Sequence, residues 1–275
     1  MDVLTQVDRH FRFTLALSRS DLQKAFALRY QVYCQEFRFE KEEDCCGGLE
    51  TDCFDSSSVH CLLEHRGSGQ VAGCVRMVLP VMDSSGSLDA LPLERHCVES
   101  LSHRHLHPAR LPRQSICEIS RLAVSRVFRR RQGEGRSEMG NIHGLVPTDE
   151  MLRTAPVIGL SLFLAATAMV GMAGRHHVFA MMEPRLVRLL SVSGFRFFRV
   201  GEFVDYHGQR AAYYTDQRQV VLEMQEALRG IYHSIQQQIF PGFEQLAADA
   251  ATASRLMLEP VAVGSASMPF IRRSS

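Results

Sequence analysis

The sequence contains no tryptophan, no excess of charge of either sign, and no histidine or cysteine spacing typical of zinc sites. Among its 275 residues, 31 basic side chains balance 30 acidic ones, for a formal net charge of +1. This balance argues against a nucleic-acid-binding protein, which needs a strongly basic surface. The eight cysteines lack a metal-binding pattern, so we expect reduced thiols and no metal site.

The first residues, "MDVLTQVDRHFRF", lack the basic segment and the apolar run of a signal peptide. We therefore expect a cytoplasmic location. One long uncharged stretch does occur, at residues 155–174, and it is long enough to cross a bilayer at about 1.5 Å per residue. Its glycine, alanine and serine content dilutes its hydrophobicity, and strand-like segments flank it. The sequence favours a buried core helix, with membrane association as the less favoured alternative.

Strand-like and helix-like segments follow one another in an order that predicts an α+β fold. A strand at residues 11–17 precedes a capped helix, and a hairpin turns around residues 67–69. The complete order is strand, helix, three strands, helix, strand, helix and two strands. This order predicts one domain with a twisted, mostly antiparallel mixed sheet of about seven strands and flanking helices. We place this domain at residues 1–216, and we assign residues 217–275 to a C-terminal helix and a weakly ordered tail.

The predicted strand at residues 116–124, "ICEISRLAV", contains Glu118, Ser120 and Arg121 within an apolar run. A buried charge costs several kcal/mol unless it is well paired, so the rest of the chain should supply partners. Strict alternation would place Glu118 and Arg121 on opposite faces of the strand. A β-bulge at Ile119 or Ser120 would bring both to one face. The candidate partners are Arg29 on the first long helix, Asp52 and Asp55 in an acidic loop, and Arg76 in the hairpin.

These residues occur in an order that is similar to that of a known family. The order is Arg29 and Tyr33, then Asp52 and Asp55, then Arg76, then Glu118, Ser120 and Arg121. It resembles the acyl-homoserine-lactone (autoinducer) synthases and the related N-acyl amino acid synthases, over residues 10–216. The segments "MEPRLVRLLSVSGF" and "VDYHGQRAAYY" are more similar to acyltransferases associated with the PEP-CTERM/exosortase protein-sorting system. The resemblance implies a GNAT-like fold in a cytoplasmic bacterial enzyme.

The activity that the resemblance implies is transfer of an acyl chain from a thioester to an amine. The implied donor is acyl carrier protein, or else acyl-CoA, and no permanently bound cofactor is implied. Lactone synthases typically have a tryptophan about ten residues after the helical arginine, where this sequence has Phe39. This departure favours an amino acid or related small amine as acceptor. A lactone-type synthase and a catalytically inactive acyl-binding module stay as alternatives.

The resemblance also implies roles for individual residues. Glu118 is the candidate base, with Ser120 and Arg121 beside it, although Glu118 could instead pair with an arginine and serve only structure. Cys117 should point to the other face of the strand, which disfavours covalent catalysis. The residues implied to bind the acceptor are Arg29, Tyr33, Phe39, Asp52, Asp55 and Arg76. The ionic members of this set could equally form a salt-bridged scaffold for the acidic loop.

Two further segments have both a functional and a structural interpretation. The apolar stretch that contains Phe163 could line an acyl tunnel or simply fill the core. A basic segment follows the predicted strand at residues 116–124, and it is either a solvated loop or a docking patch for the acidic face or phosphopantetheine arm of acyl carrier protein. The docking candidates are Arg126, Arg129, Arg130 and Arg131.

Overall fold

A mixed sheet of eight strands forms the centre of the described chain, which in this computed structural model comprises residues 3–80, 90–129, 155–249 and 252. The strands run in the order β1-β2-β3-β4-β5-β8-β6, and β7 pairs with β8. Every described pair is antiparallel except β4 with β5, which is parallel. The strands are β1 (Phe11–Leu15), β2 (Ser58–His65), β3 (Val71–Val78), β4 (Ile116–Val124), β5 (His177–Met182), β6 (Phe198–Arg199), β7 (Val204–Asp205) and β8 (Gln209–Asp216).

The predicted α+β, GNAT-like fold class is therefore confirmed, with one strand more than expected. The extra strand arises because the first arm of the closing hairpin is broken into two short pieces, β6 and β7. The helices are α1 (Val3–His10), α2 (Arg19–Arg29), α3 (Pro92–His96), α4 (Arg126–Arg129), α5 (Ala155–Met172), α6 (Pro184–Val192), α7 (Gln217–Glu223) and α8 (Glu226–Ala248).

The C-terminal helical region differs from the single helix that the sequence predicts. It consists of α7 and α8, separated at Met224 and Gln225. Helix α8 continues through Pro241, although proline ordinarily interrupts a helix. Ile239 and Phe243 on either side are buried in the main core, and this packing outweighs the backbone hydrogen bond that proline cannot donate. The domain boundary at residue 216 stays a prediction, and most of the predicted tail lies outside the described residues.

Helix α5 is a core helix, as the sequence favours. It packs against β3 and β4 on one side and against α7 and α8 on the other, so its side chains are buried all round. Gly73 of β3 permits the close approach, since a Cβ there would lie 2.7 Å from Leu162 Cδ1 and 3.1 Å from the Ala123 carbonyl oxygen. Among the described residues, no helix is long and apolar enough to cross a membrane.

Helix α2 covers the opposite face of the sheet, which we call the front. Its Ala25 and Leu28 pack against Leu62, Cys74 and Ala123 from β2, β3 and β4. A π-helical turn at Tyr30–Glu36 continues α2 and brings Tyr33 near the end of β4. The sheet is thus covered by α2 in front and by α5 behind, and β4 lies between them.

Strand β4 contains the predicted bulge, but at a different position. Gly73 pairs with Val124 and Cys74 with Ala123, whereas Arg76 pairs with Ser120. Two residues, Arg121 and Leu122, therefore face one residue of β3. Arg121 has a φ of 50°, a strained conformation for a non-glycine residue, and its ion pairs with the acidic loop hold it there. The bulge places Glu118, Ser120 and Arg121 together on the front face.

Candidate active site

A cleft opens in the sheet where β4 and β5 diverge. The two strands pair only from Ile116 with His177 to Glu118 with Phe179. Beyond these residues β4 continues along β3, and β5 continues along β8. The facing edges of β4 and β5 therefore separate, leaving a cleft that is open to solvent and has a cavity volume of about 120 Å³.

Most of the residues that the sequence analysis singles out meet in this cleft. Arg29 and Asp55 do not line it and lie behind its wall. Arg29 is fully buried and belongs to the scaffold of the site rather than to its surface. The predicted residues that line the cleft are Tyr33, Phe39, Asp52, Arg76, Glu118, Ser120 and Arg121.

The two buried arginines of the site, Arg29 and Arg76, each donate hydrogen bonds to two carboxylates. Arg29 donates from Nε to Glu50 and from Nη1 to Asp55 Oδ1, at 2.6 Å in the second case. Arg76 donates from Nη1 to Asp52 Oδ1 at 2.6 Å and to Asp55 Oδ1 at 2.8 Å. Burial by itself raises the pKa of Asp55, but Arg29 and Arg76 outweigh burial and hold that pKa well below its ordinary value.

Arg121 completes the network from the bulge. Its guanidinium lies 3.1 Å from Glu50 Oε1, 3.2 Å from Asp52 Oδ2 and 3.3 Å from Glu40 Oε1. It also lies over the Tyr33 ring, 5.6 Å from the ring centroid. These carboxylates neutralise Arg121, so β4 can contain this charge, as the sequence predicts.

Glu118 is set apart from this network. It is 2% exposed, and among the described residues it takes part in no ion pair. Its Oε2 accepts a hydrogen bond of 2.8 Å from the Leu93 backbone N–H. Burial raises the pKa of Glu118 to about 8, partly offset by the Leu93 N–H and by Arg76. The structural alternative, in which Glu118 pairs with Arg76 or Arg121, is therefore not what the geometry shows.

Other residues that line the cleft come from segments in which no sequence pattern indicated a functional residue. Phe39 stacks on His207 at 4.8 Å between ring centroids, and His207 lies 4.6 Å from Tyr206. The guanidinium of Arg210 lies over the Phe39 ring at 5.5 Å. Glu50 is the one missed residue with a local signal, because it lies two positions before Asp52 in the acidic loop. The missed residues of the site and its scaffold are Glu40, Glu50, His96, Tyr206, His207 and Arg210.

A small apolar pocket with a cavity volume of about 30 Å³ adjoins the cleft on the back of the sheet. Three residues line both spaces, namely Ile119, Phe163 and Ala180. Phe163 thus lies where the tunnel interpretation predicts, whereas Met169 is buried in the core. The remaining lining residues are Ala166, Thr167, Val170, Val178, Phe195, Phe197, Thr215, Gln217 and Val220.

The back face of β4 also contains Cys117. It is fully buried within the main core, as alternation predicts, and burial raises the pKa of its thiol to about 12. A thiol in this state does not provide a nucleophile. Within the described ranges, no cluster of three His, Cys, Asp or Glu side chains could hold a metal ion.

The two described docking candidates, Arg126 and Arg129, differ in their exposure to solvent. Arg126 on α4 is exposed. Arg129 is buried, pairs with Glu36 and lies over the Phe37 ring at 4.9 Å, so it is removed from an exposed docking patch. Its position stabilises the junction between α4 and the π-helical turn. Arg130 and Arg131 lie outside the described residues.

Comparison with known proteins agrees with this geometry. Residues 28–136 match the family model of the acetyltransferase (GNAT) domain. The match spans the ionic network, the bulged strand and most of the residues that line the cleft, and it supports an acyltransferase. No curated protein is similar in sequence.

Several solved structures share the fold at low sequence identity. The acyl-homoserine-lactone synthase LasI is 15% identical, with 82% of this chain and 95% of that chain covered and a TM-score of 0.52. The CoA-dependent acyl-homoserine-lactone synthase BjaI, solved with SAM and isopentyl-CoA, is 18% identical, with coverages of 82% and 89% and a TM-score of 0.53. FeeM, an N-acyl amino acid synthase from uncultured soil microbes, is 12% identical, with coverages of 79% and 96% and a TM-score of 0.49.

Proposed function

We propose that this protein transfers a fatty acyl chain from a thioester donor to the amine of an amino acid or a related small molecule. The observation that carries the proposal is that a charged cleft and an apolar pocket lie side by side and share three lining residues, Ile119, Phe163 and Ala180. A substrate pair with one small charged partner and one apolar chain would suit these two environments. The thioester carbonyl would lie between them, where β4 and β5 separate.

The acceptor would bind at the front of the cleft. Glu40 and Asp52 line this part and offer carboxylates to an ammonium group, while Arg121 and Arg210 offer guanidinium groups to a carboxylate. Tyr33 and Phe39 supply an aromatic wall beside these charges. Arg29 and Asp55 would hold the charged wall in place from behind, and Arg76 would do so from within the wall. The ionic residues thus divide between acceptor binding and scaffold.

The reaction would be a direct attack of the amine on the thioester. Binding both substrates in one cleft supplies proximity, and backbone N–H groups on the separated edges of β4 and β5 are candidates to stabilise the oxyanion. Ser120 lines the cleft near this point, and its Oγ accepts a hydrogen bond of 3.1 Å from Arg76 Nε. The role of Glu118 as base stays a prediction, because a carboxyl group with a pKa of about 8 is mostly protonated at neutral pH.

The donor is proposed to be acyl carrier protein, with acyl-CoA as the alternative. Arg126 is the described residue that supports an electrostatic docking patch. BjaI, whose solved structure is similar to this chain, is a CoA-dependent enzyme. Acyl-CoA is therefore the alternative donor. The association with the PEP-CTERM/exosortase system stays a prediction from the resemblance.

The two alternative functions differ from this proposal in specific features. A lactone-type synthase would need to bind SAM beside Phe39, where that family typically has a tryptophan. An inactive acyl-binding module would not need the cleft to connect with the pocket. The shared lining residues of the cleft and the pocket favour a catalyst over a binding module.

The test is mass spectrometry of lipid extracts from cells that express the wild type, Glu118→Gln or the surface control Val192→Ser. We expect a new N-acylated amine from the wild type and the control, which would identify both substrates. Equal product from Glu118→Gln would keep the acyltransferase and remove Glu118 from its chemistry. No new product from the folded wild type, with acyl donors present, would overturn the proposal in favour of a binding role.

A further inference from the structure

His96 lines the cleft but has no role in the reaction as proposed above. It ends α3 and lines the cleft together with Glu118, Ser120 and Arg121. The side chain is solvent accessible, and no described residue makes a hydrogen bond to its ring nitrogens. Both nitrogens are therefore available to a molecule that occupies the cleft.

The imidazole ring has a defined position. It stacks on Tyr206 at 6.3 Å between centroids with an interplanar angle of 27°, and it meets Phe54 edge-on at 6.1 Å and 70°. These contacts hold the ring from two sides while leaving its nitrogens uncovered. The aromatic neighbours come from different parts of the chain, so the position depends on the folded site.

Helix α3 is itself fixed to β4 at two points. The Leu93 N–H donates to Glu118 Oε2 at 2.8 Å, and the Glu94 carboxylate accepts two hydrogen bonds of 2.9 Å from Arg113, just before β4. His96 lies one helical turn after Leu93, on the same side of the helix. The ring is thus held at a constant place relative to the reacting region of β4.

The charges around His96 favour its neutral form. Arg121 of β4, Arg95 of α3 itself and Asp52 of the acidic loop face the ring, and Glu118, Glu40, Tyr206 and His207 line the same cleft. Partial burial, then Arg121 and Arg95, lower the pKa of His96 below its ordinary value. A neutral imidazole at pH 7 can accept a proton, whereas Glu118 at that pH mostly holds one.

We propose that His96, rather than Glu118, accepts the proton of the acceptor ammonium and so generates the attacking amine. This inference rests on the proposed function. The ammonium loses one proton to an imidazole nitrogen, and the neutral nitrogen attacks the thioester carbonyl carbon. The C–N bond forms and the C–S bond breaks, the second proton passes to the departing sulfur as the thiol leaves, and His96 returns its proton to water. Glu118 positions α3 through Leu93.

The experiment measures kcat against pH for the wild type, His96→Gln, Glu118→Gln and the exposed control His105→Gln. The donors are decanoyl-acyl carrier protein and decanoyl-CoA, measured separately, and the acceptor is the amine found in the lipid extracts, all at saturation. We expect His96→Gln to lose about 10²–10⁴-fold in kcat at pH 7, and the control to lose nothing. The wild-type rate should fall only on the acidic side of neutrality, because the pKa of His96 lies below its ordinary value, and that acidic limb should be retained in Glu118→Gln.

Hydroxylamine separates base catalysis from a structural role, because it is largely neutral at pH 7 and needs no base. His96→Gln should transfer decanoyl groups to hydroxylamine at nearly the wild-type rate. An unchanged kcat with the amine in His96→Gln, or an acidic limb near pH 8 that disappears in Glu118→Gln, would overturn the role of His96 alone. A wild type that acylates no amine would instead overturn the proposed function, and this inference with it.

Discussion

The two faces of β4 are adjacent in sequence and opposite in chemistry. On the front face, Glu118, Ser120 and Arg121 line a cleft backed by buried ion pairs. On the back face, Cys117 and Ile119 lie in an apolar core, beside a pocket without charged lining residues. Alternation separates the two sets, and the bulge at Arg121 adds one more charge to the front. One strand can thus present a polar acceptor and an apolar chain to each other at its edge.

The stability of the two faces has different origins. The back is stabilised by close packing between the sheet and α5, and the front by ion pairs in which each buried guanidinium has a carboxylate partner. Apolar packing tolerates small changes of shape, whereas a buried ion pair loses its balance when one partner is removed. Substitutions on the front and back faces can therefore test whether ion pairs and apolar packing respond differently to the loss of one side chain.

The largest effect should come from the centre of the front network. Arg29→Met removes a fully buried cation and leaves Glu50 and Asp55 without their shared partner. We expect the free energy of unfolding to fall by about 3–5 kcal/mol, measured by urea denaturation. The matched control is Arg12→Met, which removes an arginine side chain that is 56% exposed and should cost less than about 1 kcal/mol. Equal losses in the two variants would show that the buried network does not hold the front face.

The pH dependence of stability should reveal the buried carboxyl of Glu118. Its pKa of about 8 in the folded state lies above the ordinary value of 4.5, so the folded state binds the proton more tightly. Stability should therefore be greatest at low pH within this window and fall as the pH rises from about 4.5 through 8. Glu118→Gln, which mimics the protonated form, should lose this dependence, a difference on the order of a few kcal/mol.

Urea midpoints at pH 5 and pH 9 for both proteins check this prediction. The wild type should be relatively less stable than Glu118→Gln at pH 9 and nearly equal to it at pH 5. Parallel curves across the range would mean that Glu118 ionises as it does in the unfolded chain. In that case the carboxylate would be available as a base at neutral pH.

The back face should be probed by filling its pocket. Ala166 lines the pocket and is buried, so Ala166→Phe should occupy space that an acyl chain needs. Each lost methylene contact is worth about 0.8 kcal/mol, roughly fourfold in selectivity. We expect preference to shift towards shorter chains in competition between acyl-CoA donors of different length. Val192→Phe, at an exposed position, should leave the preference unchanged, and an unchanged preference in Ala166→Phe would place the chain elsewhere.

The smallest effect should come from Arg126, the exposed arginine at the start of α4. Arg126→Glu should raise KM for an acyl carrier protein donor about two- to fivefold, because an exposed charge pair contributes less than about 1 kcal/mol. KM for acyl-CoA should not change. Arg104→Glu, another exposed arginine, serves as the control. The same increase in both variants would indicate general repulsion of the carrier rather than docking at Arg126.

Much of the fold was predictable because its signals are local. The apolar run at 116–124 has the same limits as β4, and the uncharged stretch from Ala155 forms the core helix α5. The ionic partners could also be identified, since a strand with buried charges requires them. In these cases the free energy of burial is decided by residue type and periodicity, which the sequence displays directly.

Other features depend on contacts between distant segments. The bulge lies at Arg121 rather than at Ile119 or Ser120, because Glu40, Glu50 and Asp52 hold the guanidinium there. The burial of Arg129 depends on Glu36, some ninety residues earlier. Neither position can be obtained from local propensity.

Residue type and order specify which side chains are charged, which segments are apolar and which of these alternate, and these patterns predict the α+β class and the candidate site. Folding places Arg29 behind the cleft, pairs Glu118 with a backbone N–H and brings His96 to the cleft. Burial, and with it each charge and pKa in the site, depends on neighbours that come together from β4, α3 and the acidic loop, and these contacts have no local signal in the sequence.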